Sequence, residues 1–252
     1  MKVRLITMSL VLIFSSSSVY ALIGTSTAEL GKGQWSVGCN YLYTSQDLDT
    51  VKVKENDGDR YNLGISDFNI HRYYAQLNYG INDIWEVYGQ LGTFDIKAKY
   101  KGLTSYAIGG VNFDNEILYG LGTKYTFAKK EKIDWGATFQ MNMLSTSVSE
   151  KYSNGTKTMD VDIDIMELVL GVGPTVVMGG WNLYGGALCS ILSIDHDSKD
   201  SDGDKGTGDN ETESLGGYVG AQLDVYKNYN MSIELQATDN GWGVGAGITI
   251  PF

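Results

Sequence analysis

Proline, cysteine and histidine are scarce in this sequence. Of its 252 residues, two are Pro, two are Cys and two are His, whereas 32 are Gly and 17 are Tyr. This composition favours tight β packing over disorder. Long apolar runs are also missing, since none reaches 18 residues after position 21. Without a spanning helix, insertion into a membrane requires a closed barrel, because open sheet edges cannot face lipid.

The first 21 residues have the pattern of a secretory signal. Lys2 and Arg4 precede an apolar stretch at 5–14, and Val19-Tyr20-Ala21 forms a small-x-small cleavage site. We expect cleavage after Ala21, no lipoprotein anchor, and one domain at 22–252. That domain holds 17 basic and 30 acidic residues, a net charge of −13. The acidic excess argues against nucleic acid or an anionic lipid surface as a partner.

The last twelve residues, GWGVGAGITIPF, alternate between apolar and small side chains. A period of two is typical of a strand with one apolar face. Together with the export signal, this ending on Phe252 resembles the closing strand of bacterial outer-membrane β-barrels, of the small OmpA/OmpX-like, porin-type superfamily. The segments YGINDIWEVYGQLG at 79–92 and GVGPTVVMGGWNLYGG at 171–186 look like the strand-turn-strand units of such barrels. The resemblance implies a Gram-negative-type cell outer membrane as the location and does not identify a solute.

Ten segments of the chain alternate between apolar and polar or small residues. The lengths of the links between them indicate which end of a barrel would face the periplasm. Short links are predicted at 80–83, 128–132, 177–180 and 227–229, and long links at 45–67, 97–115, 145–158 and 193–213. Outer-membrane barrels have short periplasmic turns and long outer loops. We therefore predict an all-β, closed, antiparallel transmembrane barrel of ten strands. A secreted β-sandwich is the soluble alternative, but all five Trp are predicted at the periplasmic strand ends, as an aromatic girdle requires.

Two features of the strands lead to separate predictions, one about the cysteines and one about the sixth strand. Cys39 and Cys189 fall on the apolar face of the first and seventh strands, which are not neighbours, so we expect two free lipid-facing thiols instead of a disulfide. In the sixth segment, Val161, Ile163 and Ile165 have the opposite parity to Leu168 and its neighbours. A bulge, or an extension above the bilayer, would reconcile the two runs.

The inward face of the predicted barrel carries charges on most strands. These residues are Arg72, Glu86, Lys124, Asp134, Glu167, Asp224 and Glu234. One interpretation is a pairing network that holds the interior together, with Lys124 bound to a carboxylate neighbour. The other is an acidic constriction that passes small cations. Ten strands enclose little space, and inward Gly and Tyr residues predict a narrow, partly plugged lumen. Residues 22–33 either plug this lumen or hang in the periplasm.

The predicted loop at 194–214 is the most acidic part of the chain. The alternating carboxylates Asp200, Asp202 and Asp204, with a Gly between them, resemble Ca²⁺ ligands, although the EF-hand spacing fails and no helices flank the loop. A solvated acidic loop without metal is the alternative.

His71 and His196 are the two histidines, and neither belongs to an ordered set with a nucleophile, so we predict no enzymatic activity.

These observations lead to two hypotheses of function. The first is an integral outer-membrane barrel, monomeric and in contact with lipid and lipopolysaccharide, with a structural or narrow, cation-preferring pore role. The alternative is a surface interaction protein whose acidic outer loops bind a partner or a divalent cation.

Overall fold

The computed structural model describes residues 22–54, 60–101, 111–151, 158–200, 205–226, 229–239 and 241–252. Ten strands account for most of them: β1 Trp35–Lys54, β2 Arg60–Asn82, β3 Trp85–Lys101, β4 Val111–Lys130, β5 Ile133–Lys151, β6 Thr158–Val177, β7 Trp181–Asp200, β8 Lys205–Tyr226, β9 Tyr229–Thr238 and β10 Gly241–Pro251. In these ranges there is no helix of the length and apolarity that crossing a membrane requires.

The strands form one closed antiparallel barrel. Each strand pairs with its neighbours in the chain, and β1 closes the ring by pairing with β10, from Ser36 opposite Pro251 to Gln46 opposite Gly241. We name the two ends by their connections. The short-turn end holds the tight turns and Phe252, and the long-hairpin end holds the connections β1–β2, β3–β4, β5–β6 and β7–β8. The predicted fold class and strand number are confirmed.

The strands extend well beyond the nine to eleven residues expected from the sequence. β1 to β8 have 17 to 23 residues, whereas β9 and β10 have 10 and 11. Much of each predicted long link therefore belongs to the strands, and the predicted strand length was wrong for β1 to β8. An antiparallel hairpin that has set its register continues to pair while its main-chain groups find partners, even where its side chains are polar.

Strand β6 needs no bulge to reconcile its two apolar runs. It pairs with β5 from Ile133 opposite Val176 to Lys151 opposite Thr158 without a register shift. Of the two explanations that the sequence left open, the bulge was wrong, whereas the extension above the bilayer stays a prediction. Ile165 points into the barrel, where it is buried.

The exterior has the composition of a lipid-facing surface. Leu91, Leu121 and Leu215 are each more than 60% exposed. Cys39 and Cys189 are free thiols on β1 and β7 and are not fully buried, as predicted. Aromatic contacts lie at both ends of the barrel: Trp35 with Tyr79 at the short-turn end, and Tyr43 with Trp242 at the other.

One tryptophan was assigned to the wrong end. Trp242 opens β10 next to the β9–β10 connection and pairs with Ala237, so it lies at the long-hairpin end. The prediction of five Trp at one end overlooked that a tenth strand runs back from the far side. An outer-membrane barrel carries aromatic girdles at both interfaces, and this position agrees with that arrangement.

Candidate functional site in the barrel interior

Residues 22–33, called here the N-terminal segment, enter the barrel from the short-turn end, with Lys32 and Gly33 exposed at the rim and most of residues 22–30 buried inside. At the rim the amide of Gly33 donates to the carbonyl of Gly80 at 2.8 Å, and the amide of Gly80 donates to the carbonyl of Gln34 at 2.9 Å. Farther in, Leu22 and Ile23 are both buried. Of the two alternatives that the sequence left open, the structure shows the segment in the lumen.

Two interior carboxylates bind the main chain of the N-terminal segment. Glu234 accepts the amide of Ile23 at 3.0 Å and that of Gly24 at 2.8 Å, one on each oxygen. Gly24 has a φ of 63°, a conformation that glycine adopts without strain and that turns successive amides toward one anion. Glu86 accepts the amides of Glu29 at 3.0 Å and Leu30 at 3.3 Å. Hydrogen bonds to a charged acceptor are stronger than neutral ones.

A third carboxylate, that of Glu29 in the segment itself, binds the barrel wall. Its Oε1 lies 3.5 Å from Nζ of Lys124, and its Oε2 accepts Nε2 of Gln222 at 2.7 Å. Thr25 donates to the same carboxylate. Burial opposes the charge of Glu29, but the Lys124 cation and the hydrogen bonds from Thr25 and Gln222 outweigh it and hold the pKa of Glu29 below its ordinary value. The carboxylate partner expected for Lys124 thus comes from the N-terminal segment.

A second ion pair lies deeper in the barrel. Nη1 of Arg72 lies 3.2 Å from Oε2 of Glu167, and both side chains are at most 1% exposed. Asn142 donates to the same Glu167 oxygen at 2.6 Å. These two predicted lumen charges meet across strands that are not neighbours, β2 and β6.

From Asn142 a row of amide side chains continues across the interior. Gln140 donates to Asn142 at 2.9 Å and to Gln90 at 2.8 Å, and Gln90 donates to Gln76 at 2.8 Å. On β2, Gln76 donates to Asn78, and Asn78 donates to Ser36 of β1, where the row ends. The inward parity of these amides was visible in the sequence, but their connection depends on the register between strands.

Apolar side chains fill the interior toward the long-hairpin end, and the sequence interpretation missed them. They are at most 2% exposed: Leu42, Ile70, Phe94, Leu118, Leu144, Leu188 and Leu192. Leu42 of β1 and Leu188 of β7 belong to one contiguous cluster with Ile23, so the cluster bridges opposite walls. The sequence did contain a signal for this cluster, because these apolar residues occupy inward-facing positions of their strands. This cluster and the N-terminal segment occupy much of the described interior.

A cavity of about 260 Å³ remains beside the N-terminal segment, toward the short-turn end. Its lining is mostly polar and includes Gln76, Asn78, Ser232 and Thr249, with Glu86 and Lys124 at one side. A space with this lining accommodates a few waters that satisfy surrounding polar groups.

The other predicted site residues lie outside this arrangement. Asp134 is half-buried at the short-turn rim, and Asp224 is exposed. Asp202 and Asp204, and the side chain of Asp200, lie outside the described residues, and the part of the chain that is described holds no group of three metal-ligating side chains. The structure therefore gives no support for Ca²⁺. His71 lies on the exterior, with Nδ1 2.9 Å from the Tyr41 hydroxyl.

No family model and no curated protein matches this sequence. Among solved structures, the outer membrane protease OmpT from Escherichia coli is similar, with 11% identity, coverage of 87% of this chain and 97% of that chain, and a TM-score of 0.53. The β domain of the Bordetella autotransporter BrkA has 15% identity, covers 88% and 100%, and has a TM-score of 0.48. The translocator domain of NalP from Neisseria meningitidis has 10% identity, covers 89% of each chain, and has a TM-score of 0.46. At these identities the likeness concerns the fold. The chain has the fold of bacterial outer-membrane β-barrels, and the predicted outer-membrane location agrees with that fold.

Proposed function

We propose that this protein is an integral outer-membrane barrel with a structural role and a lumen that is closed at rest. The observation that carries the proposal is the filled interior, where the N-terminal segment occupies one half and the apolar cluster around Leu42 and Leu188 the other. Packed side chains in a small barrel make a core and not a channel. The short-turn end then faces the periplasm, and the long hairpins face outward.

The exterior supports the membrane part of this proposal. Exposed Leu91, Leu121 and Leu215 belong to an apolar surface that a water-soluble protein of this size would not leave uncovered. The aromatic pairs at both ends match the two interfaces of a bilayer. Lipid and lipopolysaccharide are the partners that such a surface requires, and a monomer suffices because the barrel leaves no open edge in its membrane-spanning part.

Planar-bilayer conductance of refolded protein tests the structural role against the narrow pore. We expect no reproducible steps. An opened lumen would favour cations, because among the described residues the interior ion pairs and anchors comprise the four carboxylates Glu29, Glu86, Glu167 and Glu234 and the two bases Arg72 and Lys124. Cation-selective steps that change in Glu167→Gln, and remain unchanged in the exposed Asp224→Asn control, would replace the structural role by the pore.

A surface-binding role is the second candidate, favoured by carboxylates on the exterior of the extended strands. Asp164 of β6 lies opposite Asp195 of β7, and both are exposed. Like charges directly opposite on a sheet destabilise it, so a cationic partner would relieve a repulsion already present. Asp164 also accepts a hydrogen bond from Ser145 at 2.6 Å.

Binding of a Lys-rich peptide to protein held in lipid nanodiscs tests this role. Asp164→Asn with Asp195→Asn should weaken binding by about tenfold if two charge pairs are lost, whereas Asp134→Asn at the opposite end should not. A calcium titration of the same samples tests the divalent-cation form of the hypothesis. Equal binding by both variants contradicts the surface role. The absence of enzymatic activity stays a prediction, checked by peptidase assays on refolded protein.

A further inference from the structure

The N-terminal segment begins directly after the predicted cleavage site of the export signal. The sequence predicts cleavage between Ala21 and Leu22. In that hydrolysis water adds across the peptide bond, the new carboxylate leaves with the leader, and the nitrogen of Leu22 takes a proton to become an ammonium group. Leu22 is buried in the lumen, 7% exposed. Processing there would place a positive charge inside the barrel.

Glu234 is the carboxylate that binds the amide of the residue next to that position. Its Oε1 lies 3.0 Å from the amide nitrogen of Ile23, and the nitrogen of Leu22 is one residue earlier, within about 3.6 Å along the chain. A second contact gives the same placement independently. A Cβ on Gly245 would lie 2.5 Å from Cδ1 of Leu22, and Gly245 pairs directly with Glu234 on the neighbouring strand. Leu22 therefore packs against the residue opposite Glu234.

The surroundings of Glu234 lack a cation in the part of the chain that is described. Its side chain is fully buried and accepts the amides of Ile23 and Gly24 and Nε2 of Gln236. The two interior ion pairs join Arg72 to Glu167 and Lys124 to Glu29. A buried carboxylate is costly when it has hydrogen bonds but no opposite charge. A cavity borders Leu22 and Ile23, so this end of the segment is not packed on every side.

We propose that the α-ammonium group of Leu22, released by removal of residues 1–21, is the counter-ion of Glu234 and locks the N-terminal segment in the lumen. Closure of the barrel is then coupled to processing. In the unprocessed chain the same nitrogen is a neutral amide, so Glu234 lacks its cation and the segment is held less firmly. The inference requires the barrel fold and the filled lumen, and it is independent of whether the role is structural.

The first test is the intact mass of protein isolated from outer membranes. The expected mature chain begins at Leu22, and a mature chain that begins at any other residue overturns the proposal. Conductance plays no part in this measurement, so a failure of the proposed structural role would be seen separately.

The second test is a two-by-two comparison in detergent at fixed pH. The free and the Nα-acetylated forms of the mature chain are prepared in the wild-type and Glu234→Gln backgrounds, and amide hydrogen exchange of residues 22–33 is followed by mass spectrometry. Acetylation should accelerate exchange by about tenfold or more in the wild type, since a hydrogen bond between charged groups is lost. It should have no further effect in Glu234→Gln. Glu213→Gln, an exposed exterior site, is the control.

Equal exchange in the free and acetylated wild-type forms overturns the proposal, as does an additive effect in Glu234→Gln. Should Glu234→Gln fail to fold, the wild-type pair still decides. The rate at which an amine-reactive reagent modifies the terminus is a further readout, expected to be slower for folded wild type than for an unfolded sample by at least the same factor.

Discussion

The backbone of Gly136 lies directly against the carbonyl oxygen of Ser26. A Cβ atom on Gly136 would be 2.3 Å from that oxygen, far inside contact distance. Both partners are main-chain groups, one in the wall and one in the N-terminal segment, so neither yields by a change of rotamer. Glycine at this position is a condition for the segment to enter the lumen.

Gly136→Ala should therefore displace the N-terminal segment without opening the wall. We expect the amides of residues 22–33 to exchange faster by about tenfold or more, since overpacking costs about 1–3 kcal/mol. Gly89→Ala is the matched control, because its Cβ would have Leu121 as its nearest neighbour at 3.8 Å, an ordinary contact. Equal exchange in the two variants would show that the segment adapts to the added methyl group.

The ion pair of Arg72 and Glu167 should show strong coupling. Arg72→Met alone leaves a buried carboxylate without its cation and should lower the free energy of unfolding by about 3–5 kcal/mol. Adding Glu167→Leu should restore much of this loss, since both charges are then absent. Urea unfolding in detergent measures all three variants, and additive losses would mean that the two side chains act separately.

Stability should depend on pH through Glu29. Because the pKa of Glu29 lies below its ordinary value of 4.5 in the folded protein, its charge stabilises the fold above that value. The contribution is lost as pH falls through the lowered pKa, so wild type and Glu29→Gln should differ at pH 7 and converge in strong acid. Thermal unfolding in detergent across this range checks the expectation. A difference that grows as the pH falls would contradict it.

The two cysteines should react as independent thiols. Cys39 and Cys189 lie on β1 and β7, which are separated by β8, β9 and β10 around the ring. Thiol titration of unfolded protein should count two groups per chain, with or without prior reduction. Electrophoretic mobility should likewise be the same with and without a reductant. A count of zero before reduction would contradict the register of the barrel.

The sequence by itself determined the wall. Which face of each strand points outward is a property of alternate residues, and each hairpin joins neighbours in the chain, so period and link length sufficed to predict ten antiparallel strands. The same parity placed Arg72, Glu86, Lys124, Glu167 and Glu234 inside. The same pattern misled the interpretation of Ile165, because the inward face was assumed to carry polar residues along its whole length.

Only the tertiary structure decided what fills the lumen. The bond from Ile23 to Glu234 joins residues 211 positions apart, and the pair of Lys124 with Glu29 joins residues 95 apart. A local sequence pattern cannot predict such contacts, because they form between distant residues only after the barrel has closed. Whether an inward Leu faces water, a neighbour or the opposite wall depends on the width of that ring. The sequence therefore specifies the number, order and facing of the strands, while the contents of the lumen are a consequence of closure.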